Sequence, residues 1–146
     1  QRLLAEREQE IDRRKQSEID LRNSEERIRR ILENAQDAYI GIDQKGQIVN
    51  WNPEAERTFG WKRDEAIGKD MAELIIPERF RSSHNRGMEH FLRTGVGPVL
   101  NQRLELHAVK KDGVEFPVEI TISAIPNGDQ WYFSAFMHDI SERKNT

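Results

Sequence analysis

Ala38-Tyr39-Ile40-Gly41-Ile42-Asp43-Gln44-Lys45-Gly46-Gln47-Ile48-Val49-Asn50-Trp51-Asn52-Pro53-Glu54-Ala55 decides the fold class. The first six residues alternate and favour β structure. Gln44-Lys45-Gly46 supplies a turn, and Gln47 to Trp51 reads as a second strand, so the stretch forms a hairpin. Asn52 then offers a side-chain cap and Pro53 fits the first turn of a helix. A hairpin running directly into a short helix announces an α+β domain.

Downstream of this stretch, Ala55 and Phe59 lie four apart on the helix that Gly60 ends. Lys62 to Ile67 and Met71 to Ile75 read as two more short helices. A longer one runs from Glu78 to Arg93, with Phe80, Met88, Phe91 and Leu92 as apolar anchors, and Thr94 to Pro98 is a loop. Three strands follow: Gln102 to Val109, Glu115 to Ile125 and Trp131 to His138. Lys110-Lys111-Asp112-Gly113 and Pro126-Asn127-Gly128-Asp129 are the turns between them. The expected architecture is one five-stranded antiparallel sheet with short helices on one face. Tyr132 and Phe136 point to the other face, which calls for a cover from the N-terminal helix or a partner sheet.

Upstream, residues 1–34 contain neither Gly nor Pro and hold nine basic and nine acidic side chains. Such a segment reads as one amphipathic helix of about 50 Å. Leu4 and Ile11 lie seven apart, and so do Leu21 and Ile28, with Leu32 four beyond. These residues form the expected seam of a parallel coiled coil that makes a homodimer. The two registers are out of step by three residues around 13–18, which weakens the seam there. Ser24 could cap a fresh helix, which would break the rod near Asn23.

Of the 146 residues, 36% are hydrophobic and 34% charged, and the net charge is −3. No basic face is available to neutralise phosphates, which argues against nucleic-acid binding. The absence of cysteine removes disulfides, thiolate metal sites and thiol catalysis, and fits the cytoplasm. No stretch is apolar for long enough to span a bilayer. No phosphate loop or nucleophile motif is present, so the chain reads as non-catalytic. Gln1 at one end and Ser141-Glu142-Arg143-Lys144-Asn145-Thr146 at the other read as cuts within a longer protein.

Seven short pieces in order resemble the PAS sensory-domain family over roughly residues 24–143. They are Ser24 to Arg27 with Ile31 leading into Asn34 to Asp37; Gly41 to Asp43; Asn50 to Glu56; Phe59 to Trp61; Glu65 to Lys69; Asp112 to Glu119; and Asp139 to Lys144. The resemblance implies a PAS fold over 35–139, a coiled-coil linker over 1–34 and the start of an output linker over 140–146. It implies a dimeric signalling module of a bacterial sensor histidine kinase, relaying through Asp139, Ile140 and Ser141 to a C-terminal kinase domain. A diguanylate cyclase or chemoreceptor is the alternative parent.

Without cysteine, the covalent photochemistry of light-sensing members is closed to this chain. The expectation is no tightly bound cofactor, with haem as the alternative. Phe80-Arg81-Ser82-Ser83-His84-Asn85 resembles the stretch of rhizobial oxygen-sensing kinases that carries the proximal haem histidine. The resemblance would make His84 the iron ligand, with His90 and Arg103 as further candidates. Leu104, however, falls where those relatives carry an arginine, and Arg103 would face the other side of its strand. His107 and His138 are expected to face away from any pocket. Trp51, Phe59, Phe80, Met88, Phe91, Phe116 and Phe133 are expected to fill a core, with Asn50, Asn52 and Arg103 at its rim.

Overall fold

Residues Arg2–Glu33 form one continuous helix, α1. It runs through Asn23 and Ser24, so the anticipated break is not there. Glu26 bridges to Arg29 at 2.8 Å and to Arg30 at 3.1 Å just beyond that point, and no Gly or Pro interrupts the backbone hydrogen bonds. The structure is a computed structural model and describes residues 2–97 and 100–144. The Pro98 end of the expected loop and the last two residues of the output linker lie outside that range. Contacts divide the chain into two units, residues 1–34 and 35–146.

The second unit follows in the order β1 (Ala38–Asp43), β2 (Ile48–Trp51), α2 (Pro53–Phe59), α3 (Arg63–Ala66), α4 (Met71–Ile75), α5 (Glu78–Thr94), β3 (Arg103–Val109), β4 (Glu115–Asn127), β5 (Gln130–Asp139) and α6 (Ser141–Lys144). The strands make one antiparallel sheet in the order β2-β1-β5-β4-β3. The β1–β2 turn closes because Asp43 Oδ1 accepts from the backbone N–H groups of Lys45 and Gln47, while Gly46 takes a φ of 84°. β4 runs two residues further than expected and β5 one residue further at each end, because Pro126 and Asn127 still pair with Trp131 and Gln130, and Asp139 with Val118.

Asn52 ties the opening hairpin to α2. Its Oδ1 accepts from Ala55 N at 2.9 Å and from Tyr39 N at 2.8 Å, and its Nδ2 donates to Asp37 O at 3.1 Å. The residue therefore caps a helix and fixes the start of β1, and it is buried rather than placed on a rim. Phe59, Ile48, Ile75 and Val118 are the largest fully buried side chains. Trp51, Phe59 and Phe116 stack in series with ring centroids 5.6 and 5.7 Å apart. At the other end of the sheet, Phe91 meets Trp131 at 4.9 Å and Phe133 at 5.3 Å, both edge-on.

Candidate functional site

Strand parity and helix period together build a cavity. Ile40 and Ile42 on β1, Phe133, Ala135 and Met137 on β5, and Val118, Ile120 and Ile122 on β4 share one sheet face. From α5, Phe80, His84, Met88 and Phe91 fall at intervals of four, four and three, one stripe of a helix. Between stripe and sheet lies a cavity of 640 Å³ with largely apolar walls, which Met71 and Ile75 of α4 and Leu100, Leu104 and Leu106 also line. That is ample room for a small cofactor. The solid core expected here is therefore only half right. Trp51, Phe59 and Phe116 do fill solid core, whereas Phe80, Met88, Phe91 and Phe133 line open space.

His84 is the titratable group that α5 turns into this space. Its Nδ1 is buried and has no hydrogen-bond partner among the described residues. Burial pushes its pKa below the ordinary histidine value, opposed more weakly by Asn85 and Asp70. A neutral imidazole with an unused ring nitrogen is the ligating form of histidine. Ser83 of α5 also borders this space. Among the described residues no cluster of three His, Asp or Glu side chains is arranged to hold a metal ion.

The other predicted candidates lie elsewhere. His90 is exposed on α5 and does not border the cavity. Arg103 is on the opposite sheet face, with Nε 3.1 Å from Glu119 Oε1, and it is Leu104 that meets the cavity. Asn50 is likewise behind the sheet, donating to Tyr132 Oη at 2.7 Å, and Tyr132 Oη is 2.9 Å from Tyr39 Oη. His138 pairs there with Asp37 at 3.1 Å. The His107 side chain faces away from the cavity, as expected. Its Nδ1 lies 3.3 Å from Glu115, yet the residue borders the cavity, because β3 is an edge strand whose backbone forms the mouth.

The relay residues cluster at the exit of β5. Ile140 is buried, and its N–H donates to Pro117 O at 3.1 Å. Asp139 Oδ1 accepts from the backbone N–H of Ser141 at 2.8 Å and also from its hydroxyl. This turn starts α6. On α1, Leu4, Ile11, Leu21 and Ile28 are exposed, Leu32 is half-buried, and no residue of the helix is buried. No helix among the described residues is long and apolar enough to cross a membrane.

Sequence reasoning missed Leu100 and Ile76 in the cavity wall. The signal for Leu104 and Leu106 was present, as they alternate in phase with Ala108 on β3.

A family model described as "PAS domain" matches residues 36–142. Sensor protein FixL of Bradyrhizobium diazoefficiens is 34% identical over 137 residues, 94% of this chain and 27% of that protein. The cell-division control histidine kinase PdhS of Brucella ovis is 32% identical over 121 residues, 83% of this chain and 11% of that protein. The chain thus spans about a quarter or less of these relatives. The crystal structure of the PAS domain of a protein from Colwellia psychrerythraea superposes with a TM-score of 0.67 at 19% identity, covering 81% of this chain and 98% of that one.

Proposed function

Because the chain belongs to the PAS domain family, we propose that it is the sensory module of a larger histidine kinase, and that it senses through haem held on His84. A PAS sensory module is non-catalytic by itself: it converts occupancy of a cavity into movement of its flanking helices. The kinase parent is supported by the likeness to FixL and PdhS, and a homodimer by the exposed seam of Leu4, Ile11, Leu21, Ile28 and Leu32 on α1.

The observation that carries the haem reading is a neutral imidazole, with its Nδ1 buried and without a hydrogen-bond partner among the described residues, bordering an apolar space of 640 Å³. These residues fit the group: His84 would hold it, and Met88, Phe91, Ile120 and Phe133 would shield it from water. Bound haem supplies an iron centre able to take a diatomic gas. The strand β3 gives the cavity Leu104 and Leu106 and sends Arg103 to the other face, so no guanidinium from this strand reaches the ligand. The route out runs through Asp139, Ile140 and Ser141 into α6.

Titration of the 146-residue chain with hemin tests this reading. A saturable Soret band, lost or shifted in His84→Ala and kept in His90→Ala, is the expected result. Identical spectra for the parent and His84→Ala would sink it.

A further inference from the structure

Strand β3 alternates between two tasks. Leu104 and Leu106 line the cavity, and Glu105 between them points to the opposite sheet face. There Glu105 stands directly across from Glu119 of β4. Two carboxylates paired this way repel. Arg143 of α6 answers both, at 2.7 Å from Glu119 Oε2 and 3.8 Å from Glu105 Oε1, and Arg103 adds a contact to Glu119 at 3.1 Å. Arg143 holds the Glu119 carboxyl below its ordinary range and is itself raised in return.

The two carboxylates belong to strands with different freedom. β4 lies inside the sheet, paired on both sides, and Pro117 O anchors the Ile140 N–H at the root of α6. β3 is an edge strand with one neighbour, and its Leu106 is 46% exposed at the cavity mouth. A ligand that pushes on Leu104 and Leu106 therefore moves Glu105 relative to Glu119. Arg143 spans the two.

We propose that Glu105 is a positioning residue for signal output: filling the cavity displaces β3, and the Glu105–Arg143 ion pair passes that displacement to α6. The proposal rests on the cavity being the ligand site, but not on the ligand being haem. It adds a lateral, electrostatic path to the backbone path through Asp139, Ile140 and Ser141.

The chain has no cysteine, so Glu142→Cys on exposed α6 gives a unique attachment point for a nitroxide. Two stimuli are applied to the labelled chain: hemin, and Leu106→Trp, which crowds the half-exposed mouth without any ligand. Each should change label mobility. Adding Glu105→Gln should cut that change at least about threefold, within the range an exposed ion pair can carry, while the hemin absorption titration is unaltered. A full-sized change in Glu105→Gln, or no change from either stimulus in the parent, overturns the proposal. If hemin gives no absorption change, the haem reading fails by itself and the Leu106→Trp arm decides the role of Glu105.

Discussion

Asn52 makes three hydrogen bonds that no other side chain of its size can make together. Its carbonyl oxygen satisfies two backbone donors, and its amide nitrogen reaches a third backbone group. Asn52→Ala removes a helix cap and strands the buried N–H of Tyr39, so a urea melt should show a loss of about 2–4 kcal/mol. Gly41 is required for a different reason. A Cβ there would sit 1.9 Å from Tyr132 Oη, because the tyrosine ring lies across β1 to reach Asn50. Gly41→Ala should therefore lower the melting temperature sharply, and Tyr132→Ala in the same chain should recover much of the loss. A double variant no better than Gly41→Ala alone would refute the clash. His84 sets a pH dependence whose sign follows from burial. Its folded pKa is below the ordinary value of 6.5, so the unfolded chain binds the proton more readily. Stability from this group is complete above about pH 6.5 and is lost as the pH falls from there toward the lowered folded value. His84→Leu should flatten that part of the stability–pH curve relative to the parent.

At the scale of elements, periodicity carried most of the information. The three short helices after the hairpin and the helix α5 were legible because Asn52, Pro53, Gly60, Pro77 and Gly95 punctuate them. All five strands were legible from alternation. The cavity was not, since an empty volume is set by how side chains from α4, α5 and four strands fail to meet, and no single segment records it. His84 was half-legible: its spacing of four from both Phe80 and Met88 places it on the apolar stripe, but not in open space rather than packed core. Arg103 was misleading only as a residue type, because strand parity already sent it to the far face. The seam of α1 is a prediction at this scale. Its apolar side chains are exposed along a helix with no buried residue, and covering each one is worth roughly 1.5 kcal/mol or more. Leu21→Asp or Ile28→Asp should weaken self-association about tenfold or more by analytical ultracentrifugation. An unchanged sedimentation profile would show that α1 is not the dimer contact.

At the scale of the molecule, the two units answer to different variables. In the proposed homodimer the 32-residue helix α1 is held by its second copy, so its stability should depend on protein concentration. The sheet unit holds a cavity of 640 Å³ whose lining has forfeited packing contacts. A ligand that fills it stabilises this unit by mass action. At a hundredfold excess over the dissociation constant the gain is about 2.7 kcal/mol, or roughly 10 °C in melting temperature for a domain of this size. Heating followed by far-ultraviolet and near-ultraviolet circular dichroism should therefore resolve two transitions. Dilution should lower the one dominated by helix signal, and hemin should raise the one seen by the tryptophans. In His84→Ala the hemin-dependent rise should shrink while the dilution-dependent transition stays where it was. A single transition that moves equally with dilution and hemin would mean that the helix and the sheet unit melt as one body, and that the ligand acts on the whole chain rather than on the cavity.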